Sequence, residues 1–268
     1  MLRTMRLAVA LLVCPVPVLA NDADISTSGW VGLTALAFDY EEFSGAGDSL
    51  DRDEGWLPGV QAGLSRDYGH WFLEGGLRWS SGQVDYTSPA ASSKADEEVG
   101  DIWFNAGIPV LMVGGTRTSL IAGLGYREWQ REIRSTAEAS GLDETYRWGY
   151  GLLGVRGEKS VGRGTRVVMD AQLTRPIHPD IKVRFDSAYD DVSLDLGERT
   201  GFRVDLTIDR KLDDTKAIWL TPWYEHWKLG RSNDSVLFSN GVPAGAVFEP
   251  RSETDNYGIS IGMRWQFD

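Results

Sequence analysis

Tyr257-Gly258-Ile259-Ser260-Ile261-Gly262-Met263-Arg264-Trp265-Gln266-Phe267 alternates without a break. Tyr257, Ile259, Ile261, Met263, Trp265 and Phe267 form one face, and Gly258, Ser260, Gly262, Arg264 and Gln266 form the other. A period of two is the period of a β-strand. These 11 residues also match the length with which a tilted strand crosses a bilayer.

The same reading applies upstream. Segment 200–209 sets Thr200, Phe202, Val204, Leu206 and Ile208 against Gly201, Arg203, Asp205, Thr207 and Asp209. Segment 71–80 sets Trp71, Leu73, Gly75, Leu77 and Trp79 against Phe72, Glu74, Gly76, Arg78 and Ser80. Segments 101–110 and 117–127 behave alike, with Ile102, Phe104 and Ile108, then Leu120, Leu124 and Tyr126, on their apolar faces. Weaker alternation covers 29–40, 56–67, 145–157, 165–175 and 216–228. The sum is ten candidate strands, with eight and twelve left open. Pro222 is a place where a bulge would disturb the parity beyond it.

The connections alternate in length. Those at 41–55, 80–98, 129–144, 175–197 and 229–253 read as long loops. Those at 67–70, 110–115, 158–164 and 210–215 are short and carry turn residues such as Gly114-Gly115 and Asp213-Asp214. Short turns on one side and long loops on the other characterise outer-membrane barrels. A soluble periplasmic barrel or sandwich has the same alternation with its apolar face inward. The aromatic residues Trp30, Tyr40, Trp71, Trp79, Tyr126, Trp148, Tyr257 and Trp265 lie toward strand ends, as interfacial girdles require. They favour the membrane reading. The expected fold is all-β, a transmembrane antiparallel up-and-down β-barrel.

Residues 1–20 read as a secretory leader. Arg3 and Arg6 precede the apolar run Leu7–Val13, and Val18-Leu19-Ala20 offers a cleavage site after Ala20. Val13 before Cys14 argues against lipidation, which needs a small residue there. The expected mature chain, 21–268, is a single domain of 248 residues with a formal charge of −14 and no cysteine. Disulfide and thiolate chemistry are therefore not expected. Nucleic acid is not an expected partner either, because phosphate contacts need clustered cations. The expected location is the bacterial outer membrane, with its lipid and lipopolysaccharide as surroundings.

Tyr257–Phe267 resembles the C-terminal signal by which outer-membrane barrels are handed to their assembly machinery, although here Asp268 follows the closing aromatic. Trp223-Tyr224-Glu225-His226-Trp227, with Ser232 and Glu249-Pro250, is similar to the end of small outer-membrane β-barrel proteins. The resemblance covers roughly the last 50 residues. It implies the fold and the assembly partner, and no particular activity.

Chemistry is sparse. The three histidines are His70 in a short turn, His178 near Asp180, and His226 beside Glu225. Omptin proteases use Asp and His near the external rim, and outer-membrane lipid A deacylases use a Ser–His pair facing lipid. These precedents make His226, Glu225, His178 and Asp180 the weak catalytic candidates, although neither family's local motif is present. The stronger constellation is the set Glu74, Arg78, Asp101, Arg127, Asp170, Arg203, Asp205 and Arg264, which parity turns to the lumen. Buried charges persist only when paired. The preferred reading is a structural plug, because small barrels can be filled by side chains. The other is a constriction that selects ions. Trp103, Trp219, Trp223 and Trp227 point inward by the same parity, to fill the lumen or to stack a sugar or an apolar solute.

The acidic loops carry Asp51, Asp53 and Glu54 as metal candidates, and divalent cations as candidate loop partners, since hard cations prefer carboxylates. No cofactor is expected. The overall expectation is a non-enzymatic barrel with a structural, surface-interaction or narrow-channel role. The alternative is a rim-active hydrolase.

Overall fold

The computed structural model describes residues 25–137, 140–185 and 189–267; the leader, its cleavage site and Asp268 lie outside the described residues. Every regular element among the described residues is a strand. In chain order they are β1 (Ser26–Phe43), β2 (Ser49–Asp67), β3 (Phe72–Thr87), β4 (Ser92–Val113), β5 (Thr116–Ile133), β6 (Leu142–Ser160) and β7 (Thr165–Phe185). There follow β8 (Val192–Asp195), β9 (Gly197–Glu198), β10 (Gly201–Lys211), β11 (Lys216–Gly230), β12 (Ser235–Ser239), β13 (Val242–Val247) and β14 (Arg251–Phe267).

Strands β1 to β7, then β10, β11 and β14, pair antiparallel in chain order, and β14 returns to β1 to close a ten-stranded barrel. Closure removes the sheet edges that a bilayer would leave without hydrogen-bond partners. β8 extends from β7 and β9 from β11 beyond the full ring, while β12 and β13 form a separate hairpin. The turns at the other end are tight. Gly114 and Gly115 both take positive φ, 56° and 77°, as a two-residue hairpin turn with the right twist demands.

The outward face is apolar over a belt and polar above it. On β1 it runs Val31, Leu33, Ala35, Ala37, then Asp39 and Glu41; on β5 it runs Leu120, Ala122, Leu124, Tyr126, then Glu128, Gln130 and Glu132. Leu33 and Leu124 are each 65% exposed, which is unfavourable in water and favourable in lipid. The membrane-crossing part of β1 therefore ends at Ala37, and that of β5 at Tyr126.

Three expectations change. The loops expected at 41–55 and 80–98 shrink to 44–48 and 88–91, because β1 to β4 continue as paired wall above the belt. Apolar alternation stops where lipid stops, but the hydrogen-bond ladder does not. Trp30, Tyr40 and Trp148, expected in the girdles, are buried inside the lumen; Trp79, Tyr126 and Tyr257 are outward and exposed. Pro222 makes no bulge. It faces outward opposite Ile259 in an unbroken register with β14, and parity holds through β11. The barrel's register shifts lie elsewhere: at Glu42/Phe43 of β1 against β2, at Pro109/Leu111 of β4 against β5, and between Arg147 and Gly149 of β6 against β7, where His178 adopts φ 48°.

Candidate functional site

Inward parity brings the charged residues together in tiers along the barrel axis. Nearest the short turns, Arg166 meets Asp209 at 2.6 Å and Glu158 at 3.0 Å, and Arg264 reaches Asp209 at 3.4 Å. Farther in, Arg156 sits between Asp170 (2.8 Å) and Glu74 (3.2 Å).

The next tier crosses the lumen. Glu225 on β11 accepts from Arg127 (2.6 Å), Arg203 (3.0 Å), Arg78 (3.1 Å) and the Asn256 amide (3.2 Å). Asp101 accepts from Arg127 (3.1 Å), Arg78 (3.2 Å) and the Tyr150 hydroxyl (2.8 Å). Arg203 also forks onto Asp205. The guanidiniums of Arg78 and Arg203 lie over the Trp223 ring at 4.6 and 4.5 Å, and that of Arg127 over Trp227 at 4.6 Å. Such arrangements satisfy charge by pairing and by the ring quadrupole at once.

Glycines make room for these rings. A Cβ on Gly258 would lie 2.0 Å from the Trp223 ring, and one on Gly63 would lie 2.2 Å from Trp30. The indoles lie against bare backbone, which only glycine permits.

Above this tier Leu36, Phe38, Tyr40, Trp129, Tyr146 and Trp148 form one buried cluster. Trp129 stacks on Tyr146 at 4.3 Å between centroids, and Tyr40 meets Trp129 edge-on at 4.7 Å. The last tier is Arg131, only 1% exposed, with Asp53 (2.6 Å), Glu144 (2.9 Å), Glu42 (3.2 Å) and Asp51 (3.2 Å). Below, a cavity of about 540 Å³ runs from the short-turn residues Gly162 and Asp213 up to Glu225 and Trp227.

All eight residues of the expected lumen set face inward. Arg78, Arg127, Arg203, Asp101 and Asp205 share one network, but Glu74 and Asp170 pair with Arg156, and Arg264 pairs with Asp209. Glu225 changes role. It is inward and central, whereas its neighbour His226 is outward, so alternation separates this expected catalytic pair. His226 Nδ1 lies 2.8 Å from Asp255, which also accepts from Tyr224. His178 is exposed, and its backbone N–H donates to Glu198 at 3.3 Å. The expected metal candidates divide: Asp51 and Asp53 converge on Arg131, while Glu54 points outward beside Arg52. Trp103, Trp219, Trp223 and Trp227 all face the lumen, as parity requires, and line the cavity.

Sequence reading missed Arg131, Arg156, Arg166 and Glu225 as lumen charges. Arg156 lies where glycines interrupt the apolar face of β6, and Arg131 lies beyond the belt, so neither stood in a clearly alternating stretch.

A closed ten-stranded antiparallel barrel with an apolar belt and a polar interior has the fold of bacterial outer-membrane β-barrels. The outer membrane protease OmpT from Escherichia coli has a similar fold, with a TM-score of 0.61 at 8% identity over 90% of this chain and 97% of that one. More distant likenesses are OprG from Pseudomonas aeruginosa (TM-score 0.41, 11% identity, 90% and 95% covered) and the NalP translocator domain from Neisseria meningitidis (0.45, 13%, 90% and 88%). No protein-family model matches the chain, and no curated protein does. The likeness extends to the fold.

Proposed function

We propose that this is a closed, non-enzymatic barrel that serves the cell surface through its external rim, without a conducting pore. The observation that carries this reading is the Glu225 tier. Three arginines from β3, β5 and β10 converge on one carboxylate from β11, beneath a continuous aromatic layer. Charges packed this closely fill the bore that an ion would need. In this reading the acidic rim meets lipopolysaccharide through divalent cations, and Tyr257–Phe267 engages the assembly machinery. The test is conductance of the full chain in planar bilayers. Little or no steady current is expected, and stable, resolved channels would overturn the reading.

A second reading is a rim hydrolase of the omptin or lipid A-modifying kind. It is favoured by the His226–Asp255 contact on the outer wall, above the outward Tyr257, and by the fold shared with an outer membrane protease. Peptide or lipid A turnover that disappears in His226→Ala would establish it.

A further inference from the structure

The external tier has a proton count that does not close with ionised carboxylates. Glu42 Oε1 lies 2.9 Å from the Tyr40 hydroxyl, Tyr40 lies 3.1 Å from the Tyr146 hydroxyl, and Tyr146 lies 2.7 Å from Glu249 Oε1. These are three oxygen–oxygen contacts in a row, and Glu144 Oε2 makes a longer fourth at 3.5 Å to the Tyr146 hydroxyl. A hydrogen bond needs one hydrogen per contact, and two phenols supply two. The third belongs to a carboxyl, either Glu42 or Glu249. If Glu42 carries it, the chain donates from Glu42 through Tyr40 and Tyr146 to Glu249; if Glu249 carries it, every donor reverses.

The surroundings favour the same extra proton. Both tyrosines are fully buried, and Glu42 and Glu249 are 7% and 6% exposed. The groups facing the chain are Asp51 and Asp53 on β2, Tyr86 on β3, Glu97 on β4, Arg131 on β5 and Glu144 on β6. Six carboxyls thus share one guanidinium, far from the neutrality that burial demands. Among the described residues the inward-facing Asp53 Oδ1 and Glu97 Oε1 also have no hydrogen-bond partner, on residues 0% and 2% exposed. Buried carboxylate oxygens without donors call for protons. All of this lies above the apolar belt. Burial, then the neighbouring Glu42 and Glu144, push Glu249 well above the usual carboxylate range; burial and Asp51 push Glu42 up likewise.

Glu249 stands at the foot of the excursion between β11 and β14. Its backbone N–H donates to Ser232 Oγ at 2.8 Å, and the Ser232 N–H donates back to its carbonyl at 2.9 Å, which ties the two feet of the β12–β13 hairpin together. The Glu249 side chain joins those feet to β6 through Tyr146. Val247 packs on the aromatic cluster, and Asp190 holds the hairpin tip through Asn240 and Gly241.

We propose that Glu42 and Glu249 share one proton through Tyr40 and Tyr146, and that this proton latches segment 231–250 onto the barrel's external mouth until rising pH removes it. On ionisation each carboxylate takes one phenolic hydrogen and the Tyr40–Tyr146 contact loses its donor; the charge now buried on Glu249, repelled by Glu42 and Glu144, drives the feet of the hairpin away from β6. The ligand of this site is a proton, and the surface it controls is the hairpin displayed at the cell exterior.

The experiment uses the folded full chain in detergent, at about pH 6 and about pH 9, which bracket a raised carboxyl. Infrared difference spectra should show loss of a protonated-carboxyl band. Hydrogen exchange of segment 231–250, corrected for the intrinsic pH dependence of exchange, should rise at least tenfold. Glu249→Gln supplies a permanent amide donor, so its contacts close without the extra proton. It should show a weaker infrared band, the remainder belonging to other buried carboxyls such as Glu97, and stay protected at both pH values. Tyr146→Phe cuts the relay and should exchange as fast at the lower pH as the native chain does at the higher. Heat-modifiable gel migration checks that each variant is folded; should a variant not fold, the two native measurements still decide. Equal exchange of the native segment at both pH values, absence of the band, or a native-like pH response in Glu249→Gln would each overturn the proposal.

Discussion

Arg127 and Glu225 meet at 2.6 Å although β5 and β11 lie four strands apart around the ring. The pair is a pin across the barrel, and neither residue exceeds 4% side-chain exposure. Such a contact links walls that share no backbone hydrogen bond. Removing Glu225 would leave Arg78, Arg127 and Arg203 facing one another with one carboxylate fewer. Glu225→Gln is therefore expected to destabilise the fold by about 3–5 kcal/mol, the usual cost of stranding buried charge. Urea unfolding followed by tryptophan fluorescence measures it. Arg203→Gln should cost less, because Arg203 and Asp205 are 18% and 14% exposed to the cavity. Equal, small effects would mean that water fills this tier and that the pin carries little.

The face assignment has its own test. Leu206 and Ile261 face lipid, and Arg at either site should cost roughly 2–4 kcal/mol in bilayer folding if it falls near the midplane. Thr207 and Ser260 face inward, where Thr207 bonds Thr221 at 2.8 Å and Ser260 donates to Thr34 at 2.9 Å. Arg at those sites should act by crowding, with no dependence on bilayer thickness. Refolding into vesicles of two acyl lengths separates the pairs. Indifference to lipid at all four positions would refute the assignment.

Gly258→Val probes the seat of Trp223. The added Cβ would fall 2.0 Å from ring atoms, so the indole must move and take its contacts with Arg78 and Arg203 along. Overpacking of this kind costs about 1–3 kcal/mol. A red shift of tryptophan emission together with a lower urea midpoint is the expected result, whereas an unchanged midpoint would show that the ring relocates freely.

The external carboxyls predict the sign of a pH dependence. Burial raises Glu42 and Glu249 in the folded chain, so above the ordinary carboxyl range the folded state binds more protons than the unfolded state. Stability present at low pH is then lost as pH rises through the folded-state values. The urea midpoint should fall between about pH 6 and about pH 9, and Glu249→Gln should flatten that slope. Exposed pairs such as Arg52–Asp39 contribute little to it. A midpoint that climbs with pH would contradict this account.

The legible part of this protein is the part that lipid dictates. Alternation in 200–209 and 257–267 identified both faces of β10 and β14, because a one-residue slip would put Arg203 or Arg264 into hydrocarbon. Where lipid makes no demand, the pattern was silent. The upper parts of β3 and β4 read as loop because their outward residues, such as Glu98 and Asp85, are polar. The partners inside were harder still. Parity places Arg78 and Asp101 on the inner face, but which strands oppose each other across the lumen depends on closure, which no local stretch records. Glu225 illustrates the limit. Its neighbour His226 suggested chemistry, and only an inward count from Trp219 and Trp223 would have given its place.

The wall that rises above the belt has a consequence for how this chain can change length over evolution. β1 and β2, joined by only five residues at 44–48, form a paired ladder from base to tip. Deleting one residue from such a ladder exchanges its two faces, so that Asp51 and Asp53 would turn to the exterior and Arg52 and Glu54 would turn in. Deleting two residues from each strand, as two whole cross-strand pairs, preserves every side above the cut. The height of the rim is therefore free to drift, but in steps of two residues per strand, and only in matched steps on paired neighbours. Related barrels should differ in stature by even counts in the upper wall, while odd changes should be confined to the tips at 44–48 and 88–91 and to the places where the ladder already slips, at Glu42/Phe43 and at His178.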